Sequence, residues 1–220
     1  MDAERLLHTG LFCGFDARQA AQLVRDMRGL ERSFARGAVM CAAQEPAAGA
    51  GLLLSGRAQV EYVDPWGNQS ILAQLEPGSL FAEMYACCPD TPLLVSVRCV
   101  EPCTALFLDV QRILARPGEN PLHSRFAGNF IGIMARKSLA LTQKIHCTAP
   151  KTIRGRVLCY LGFRAAEARA ADFTIPFSRQ QLADYLCVDR SALSAELGKM
   201  RRDGLLSCTG RRFVLNTGRK

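Results

Sequence analysis

The chain has 220 residues, of which 49% are hydrophobic and 22% charged, a balance typical of a globular protein with one large or two small domains. No apolar run approaches the ~20 residues that a membrane span requires, so we expect no membrane partner. The first ten residues, MDAERLLHTG, lack the apolar core of a secretory signal. We therefore expect a cytoplasmic protein whose ten cysteines are thiols.

The net charge of +8 lies entirely in the last third of the chain. Residues 1–147 carry 14 Lys+Arg and 14 Asp+Glu, whereas residues 148–220 carry 14 and 6, which leaves +8 there. A basic segment joined to a neutral one is typical of a protein that binds a polyanion. A merely solvated basic surface is the alternative, and a motif has to decide between the two.

The first two thirds of the chain change from helical to strand-like patterning. Residues 3–27 have the apolar spacing of a helix, whereas residues 51–64 and 96–109 alternate and are rich in strand formers. Gly67-Asn68 and Pro77-Gly78 predict turns between strands. Many short strands with regular turns predict a small antiparallel barrel or roll.

A long helix is predicted over 121–147, with apolar residues on two faces. One set recurs at spacings of four and three, the pattern of a coiled-coil seam, and a second stripe could pack on the strands. Because two apolar faces need two partners, we predict a two-fold homodimer. The alternative is one wide stripe buried within a single subunit. The seam consists of Ala127, Ile131, Met134, Ser138, Leu141 and Ile145, and the second stripe of Phe126, Phe130 and Ile133.

Thr148-Ala149-Pro150 interrupts this helix at the point where the charge changes. We therefore predict a domain boundary there, with domains at 1–147 and 148–220. A further helix is expected over 151–169, followed by a short extended piece at 173–177, which the proline before Phe177 keeps from being helical.

Two short helices are predicted after this extended piece. Ser178 with Gln181 forms a capping box for the first, Asp189 is an N-cap for the second, and Gly204 ends it. The outward residues of the second helix are short or cationic, which suits approach to bases and phosphates. They include Arg190, Ser191 and Ser194. This arrangement predicts a helix-turn-helix whose second helix fits the major groove of DNA.

A basic hairpin is predicted directly after the two helices, over 205–216, with Gly210, Arg211 and Arg212 at its tip. Such a wing can contact the DNA backbone or the minor groove. Structural helical hairpins look similar, but here the charge, the caps and the wing coincide, and we expect DNA binding.

Two stretches, LLLSGRAQVEYVDPWGNQSILAQLEPGSLFAEM and SRQQLADYLCVDRSALSAELGKMRRDGLL, resemble the Crp/Fnr family of bacterial transcription regulators. The resemblance implies an α+β fold, in which an antiparallel β-roll of the cyclic-nucleotide-binding type, a jelly roll, senses an effector. A long helix would dimerise, and a winged helix-turn-helix would bind a palindromic operator. It also implies RNA polymerase as a partner. A signal sensed in the roll would change the packing of the long helix and so move the two recognition helices.

By position, four residues match places where members of the family contact DNA: Arg179, Gln180, Arg190 and Ser191. Ala195 falls where some members carry a base-reading arginine, so we expect a different half-site. Cys187 stands where a glycine is usual at the turn, which leaves the geometry of that turn open.

The resemblance also locates a candidate effector site. Glu83 could hold a ribose hydroxyl, as it does in members that bind cyclic nucleotides, and Lys137 and Thr142 lie where the long helix would touch an effector. The phosphate-binding arginine and hydroxyl of those members would fall on Leu93 and Leu94, and Arg98 lies further along. Because a buried phosphate needs cationic or N–H partners, we do not expect cyclic AMP. A more apolar ligand and a roll without any ligand stay open.

Four cysteines lie close together in the sequence, at positions 87, 88, 99 and 103. They could bind a metal, form a switchable disulfide, or be small buried hydrophobic residues. Their spacing matches no tight zinc pattern, so we predict no metal site.

No cofactor is indicated by the remaining cysteines and histidines. The N-terminus has only Cys13 and lacks the cluster of iron–sulfur members of the family. Haem would have to use His8, His123 or His146.

Two other classes of function are alternatives to a DNA-binding regulator. A thiol-based enzyme would need a nucleophile–base pair or a metal triad, and none is visible, so we expect no catalytic residues. A sensing module without DNA contact would leave the basic winged helix unexplained.

Overall fold

The computed structural model describes residues 3–115 and 120–216. The chain forms two compact units, Met1–Met134 and Ala135–Lys220. The boundary between the two units falls within one helix, α5 (Pro121–Thr148). Phe126 and Phe130 near its start belong to the core of the first unit, and Cys147 near its end belongs to the core of the second. The boundary that the sequence predicts at 147/148 lies at the end of this helix and stays a prediction.

The first unit begins with three short helical segments, where the sequence had predicted one helical stretch over 3–27. They are α1 (Ala3–Leu7), a 3-10 helix (Gly10–Phe12) and α2 (Ala17–Asp26). The single stretch was wrong because Asp16 starts a new helix: its Oδ1 accepts from the Gln19 N–H at 2.8 Å, and Gln19 Oε1 accepts from the Asp16 N–H at 3.1 Å.

In the described part of the first unit, eight strands follow in two four-stranded antiparallel sheets, ordered β1-β8-β3-β6 and β2-β7-β4-β5. Two short helices, α3 (Glu83–Cys87) and α4 (Gln111–Leu114), interrupt and follow the strands. The sheets confirm the predicted antiparallel β-roll. The strands are β1 (Leu30–Phe34), β2 (Val39–Cys41), β3 (Ala50–Ser55), β4 (Ala58–Val63), β5 (Gln69–Leu75), β6 (Leu80–Phe81), β7 (Ser96–Cys99) and β8 (Cys103–Leu108).

Side-chain alternation along the strands gives the roll two apolar clusters. Leu53 belongs to a cluster formed by residues of both sheets, the inter-sheet core. Its neighbour Leu52 belongs to a second cluster, which includes residues of the helices. Phe126 and Phe130 of α5 enter the second cluster with their rings stacked, 6.4 Å between centroids. The predicted second stripe of the long helix therefore packs on the roll, as expected.

The second unit combines the end of α5 with three more helices and a three-stranded antiparallel sheet of order β10-β11-β9. Its core contains Val157, Leu161, Leu182 and Phe213 among others. The elements are α6 (Ile153–Ala168), β9 (Asp172–Thr174), α7 (Arg179–Tyr185), α8 (Arg190–Arg202), β10 (Leu206–Thr209) and β11 (Arg212–Leu215). This is the predicted winged helix-turn-helix. Within residues 3–115 and 120–216, no helix is long and apolar enough to cross a membrane.

Candidate nucleic-acid interface

Two helix caps that the sequence predicts are formed in the helix-turn-helix. Ser178 Oγ accepts from the Gln181 N–H at 3.3 Å, and Gln181 Oε1 accepts from the Ser178 N–H at 2.8 Å, so α7 begins with a capping box. Asp189 Oδ1 accepts from the Ala192 N–H at 2.9 Å and starts α8. The Ser191 hydroxyl and the backbone N–H groups at this cap hold the pKa of Asp189 below its usual value.

The turn between α7 and α8 contains a strained residue and an arginine that the sequence analysis did not single out. Cys187 has a φ of 53°, in the left-handed region, where a residue with a Cβ is strained. The Arg156 guanidinium on α6 donates to the carbonyls of Leu186 and Cys187, both at 3.0 Å, and to that of Pro150 at 2.9 Å. The bonds to Leu186 and Cys187 span 30 and 31 residues and leave no local sequence signal.

The recognition helix α8 buries one face and exposes the other. Leu193, Leu197 and Met200 are buried, whereas Arg190 and Ser194 are exposed. The Ser191 hydroxyl donates to Asp189 Oδ1, and that of Ser194 to the Arg190 carbonyl at 2.9 Å. Both hydroxyl hydrogens are therefore used within α8, which leaves the serine oxygens as acceptors, and Arg190 adds an exposed cationic side chain.

Arg154 connects α6 to α8. Its Nε lies 2.7 Å from Glu196 Oε1 and its Nη2 lies 2.7 Å from Asp203 Oδ2, while Lys199 Nζ is 3.8 Å from Glu196 Oε2. The hydrogen bonds to Glu196 and Asp203 raise the pKa of Arg154 above its ordinary value. This contact has no local sequence signal, because Arg154 and Glu196 lie 42 residues apart.

The first turn of α7 carries two of the predicted DNA contacts. The Arg179 guanidinium lies over the Phe213 ring, 5.6 Å from its centroid, and contacts Cys208 Sγ at 3.9 Å. Gln180 is exposed and donates to Asp184 Oδ1 at 2.8 Å.

The wing consists of β10 and β11, which turn at Gly210, where φ is 60°. Arg211 in the turn and Arg212, the first residue of β11, are both exposed. Arg212 forms an ion pair with Asp172 of β9, with Nε 2.8 Å from Oδ1. The seven predicted DNA contacts thus lie on α7, α8 and the wing of one unit, and the Arg212 guanidinium has a carboxylate partner in the free protein.

In the β-roll, Glu83 is buried at the start of α3, after Ala82 in a left-handed conformation. Arg98 Nε lies 2.9 Å from Glu61 Oε2, and its Nη1 donates to the Gly37 carbonyl at 2.9 Å. Arg98 alternates with the buried Val97, so it lies on the opposite face of β7 from the inter-sheet core. Its role in effector binding stays a prediction.

The other candidate effector residues are dispersed. Lys137 and Thr142 are exposed on α5, in the second unit, and stay predictions. Leu93, at the position of the family's phosphate-binding arginine, is buried in the inter-sheet core, and Leu94 is exposed.

The four clustered cysteines lie in different surroundings. Cys99 and Cys103 are buried in the inter-sheet core, whereas Cys87 packs against the other cluster and Cys88 is exposed. Burial, with the nearby Cys103 thiol, raises the pKa of Cys99 to about 12. Over residues 3–115 and 120–216, no three His, Cys, Asp or Glu side chains converge as a metal site would require.

The predicted dimer seam lies along α5. Ile131, Leu141 and Ile145 expose 62%, 55% and 67% of their surface, Ser138 is exposed, and Met134 is partly buried against the core of the roll. An apolar row of this kind on one long helix is unusual for a surface that stays in water.

Two protein-family models match this chain, one over the β-roll and one over the winged helix-turn-helix. The family model described as the cyclic nucleotide-binding domain matches residues 31–116, and that of the Crp-like helix-turn-helix domain matches residues 155–218. Together the two ranges take in more than half of the chain, in the order that the resemblance had implied. Comparison with curated protein sequences found no match.

Three solved structures are similar over nearly the whole chain. The c-di-GMP responsive global regulator CLP of Xanthomonas campestris is 20% identical, with a TM-score of 0.53 over 91% of this chain and 99% of that one, which shows the fold. DNR from Pseudomonas aeruginosa is 19% identical, with a TM-score of 0.49 over 98% and 93%. The catabolite activator protein of Thermus thermophilus is 18% identical, with a TM-score of 0.49 over 94% of each chain.

A β-roll matched by the cyclic nucleotide-binding model, a long helix, and a winged domain matched by the Crp-like helix-turn-helix model define a two-part regulator. The chain belongs to the Crp/Fnr family. It is a transcription regulator with a sensor domain and a helix-turn-helix, as the sequence predicted.

Proposed function

We propose that the protein binds palindromic duplex DNA as a homodimer and that a signal received in the β-roll controls this binding. The observation that carries the proposal is the surface of α8, which presents Arg190, Ser191 and Ser194 outward between Asp189 and Gly204. A B-DNA major groove admits a helix of this kind, and cationic and short polar side chains can contact base edges and phosphates there.

The charge distribution supports DNA as the partner. Residues 148–220 hold the whole surplus of +8, and residues 1–147 are neutral. A positive field confined to the recognition unit would draw the duplex to α7, α8 and the wing and away from the sensor. We also propose RNA polymerase as a partner and the cytoplasm as the location, which the family implies, and we propose no catalytic role.

The exposed seam of α5 supports the homodimer. Burying Ile131, Leu141 and Ile145 against a second copy would remove apolar surface from water at two symmetric helices. A two-fold dimer presents two recognition helices, and these reach adjacent major grooves when they stand about 34–36 Å apart. A change in the roll that alters the packing of α5 would alter this spacing and therefore the affinity for an operator.

The DNA proposal can be tested without knowing the operator. Selection of full-length protein on duplexes with a randomised centre should enrich inverted repeats with half-sites about 10–10.5 base pairs apart. Fluorescence anisotropy on the selected duplex should then show a loss of affinity of roughly a thousandfold or more between about 50 and 200 mM salt.

Arg190→Ala tests the assignment of the recognition helix. It should weaken binding to the selected duplex by about ten- to a hundredfold, because a base-contacting arginine contributes about 1–3 kcal/mol. Arg18→Ala, which removes an exposed arginine of α2, is the matched control and should bind like wild type. Equal binding by the Arg190→Ala variant would show that α8 does not contact the operator as proposed.

We further propose that the signal is not cyclic AMP. Leu93 is an apolar residue buried at the expected phosphate position, and the Arg98 guanidinium is engaged by Glu61. A ligand at about a hundred times its Kd stabilises a protein by about 2.7 kcal/mol, which raises Tm measurably. Millimolar cyclic AMP should therefore leave Tm unchanged. A rise in Tm with cyclic AMP, absent with adenosine 5′-monophosphate, would overturn this proposal.

A further inference from the structure

Arg154 lies at the second residue of α6 and reaches two carboxylates on one side of α8. Its Nε and Nη2 are each 2.7 Å from an oxygen, of Glu196 and of Asp203 respectively. These carboxylates are seven residues apart, two turns along the recognition helix. A planar guanidinium that bonds at two points holds a neighbouring helix in direction as well as in distance, which a single contact does not.

The bridge that Arg154 forms with Glu196 and Asp203 is partly buried. The Glu196 side chain is 16% exposed and that of Arg154 38%, whereas Asp203, the C-cap residue of α8, is 48% exposed. Lys199, on α8 itself, is 3.8 Å from Glu196 and cannot tie α8 to another element. The bridge is therefore an ionic connection between α6 and the helix that carries Arg190.

We propose that Arg154 is a positioning residue for DNA recognition: by bridging Glu196 and Asp203, it fixes the rotation of α8 about its own axis. This inference rests on the proposed DNA binding. Hydrogen bonds to base edges depend on direction, so the side chains at the start of α8 must enter the groove at a set angle. Arg154 achieves this through α8 and does not itself contact the duplex.

The salt dependence of binding separates this role from a phosphate contact. A residue that neutralises one phosphate contributes about 0.9 to the slope of log K against log[salt]. Arg154→Ala should weaken binding of full-length protein to the selected duplex by about tenfold and leave this slope unchanged. Binding to unrelated duplexes should change less than binding to the selected one, because backbone contacts need less exact orientation.

A double-mutant cycle tests whether Arg154 acts through Glu196. Glu196→Ala alone should weaken specific binding, and Glu196→Ala together with Arg154→Ala should be no weaker than Arg154→Ala alone. Arg164→Ala is the matched control, since Arg164 is also on α6 but pairs with Glu167 of the same helix, and it should bind like wild type. Thermal unfolding by circular dichroism establishes that each variant is folded.

Each outcome decides one point. If wild type binds no duplex, the proposed function fails. If wild type binds and Arg154→Ala binds within about twofold of it, only the positioning role fails. Additive losses in the cycle, or a slope shallower by about 0.9 in the Arg154→Ala variant, would also overturn the positioning role, the latter in favour of a direct phosphate contact.

Discussion

At the scale of single residues, the turn of the helix-turn-helix combines strain with support. Cys187 occupies a left-handed conformation that glycine adopts without cost, and Arg156 donates to its carbonyl and to that of Leu186. Charge-assisted bonds to two successive carbonyls at 3.0 Å hold a turn that its own sequence disfavours. The conformation of the turn is therefore set by a residue of α6, thirty positions earlier in the chain.

Cys187→Gly should stabilise the protein. Removing the Cβ relieves a left-handed strain of about 1–2 kcal/mol, and the extra freedom of glycine in the unfolded chain offsets about 0.5–1 kcal/mol of this gain. Because Cys187 is exposed, little packing is lost. Differential scanning calorimetry of the full chain should show a higher Tm. Cys187→Ala keeps the Cβ and should show no rise; a rise there would mean that the thiol, and not the backbone, was unfavourable.

At the scale of elements, helices whose start is marked by capping residues close together in the sequence could be predicted. The capping box that starts α7 and the Asp189 N-cap that starts α8 depend on residues three apart, and both form as the sequence indicated. The stretch over 3–27 was mispredicted although Asp16 and Gln19 also form a capping box, because its apolar spacing continues across the break. The sequence therefore contains the capping residues that start α2, but the continuous apolar spacing favoured a single helix.

The interactions that orient the elements could not be predicted. Glu196 lies 42 residues from Arg154 and Leu186 lies 30 residues from Arg156, and many arginines of the basic segment could equally have formed these contacts from sequence alone. The ion pair between Arg98 and Glu61 could not be predicted either, because only the register of β7 against β4 brings the two side chains together. Such pairings depend on the assembled fold and not on any spacing within one element.

In the wing, the positive charge of Arg212 is partly neutralised by a carboxylate of β9. Asp172 of β9 pairs with Arg212 of β11, and Arg212 holds the pKa of that carboxyl below its usual value. Asp172→Asn should strengthen binding to any duplex by about threefold, the order of an exposed ion pair, because Arg212 becomes available to a phosphate. Anisotropy with an unselected duplex measures this.

Asp109→Asn makes the same change of net charge at an exposed site of the first unit. It should alter the affinity less, because its charge lies on the sensor unit and the effect of the Asp172 variant is local to the wing. An equal gain in both variants would attribute the effect to net charge alone.

At the scale of the whole molecule, the proposed function requires that two copies act together. One recognition helix with short side chains makes few contacts, whereas a two-fold pair doubles the contacts and adds a spacing requirement. In the proposed dimer, the predicted seam of α5 would supply the apolar surface for this pairing, and its exposed residues lie on the same helix that buries Phe126 and Phe130 in the roll. Under this proposal, a change at the roll and a change at the seam would both act on α5.

Leu141→Asp should abolish the dimer. The substitution puts a carboxylate at the seam of each copy, and two like charges that lose water there cost several kcal/mol. Sedimentation equilibrium at micromolar concentration should give the mass of one chain, where wild type gives two. Binding to the selected palindrome should fall in parallel, because a monomer engages only one half-site.

Leu139→Asp is the matched control for the seam. Leu139 is as exposed as Leu141, at 62% against 55%, but two residues apart on a helix means nearly opposite sides. This variant should sediment as a dimer and bind the palindrome like wild type. If Leu139→Asp dissociates the dimer and Leu141→Asp does not, the chains pair through the other face of α5, and the coupling between roll and recognition helices would have to run through that face.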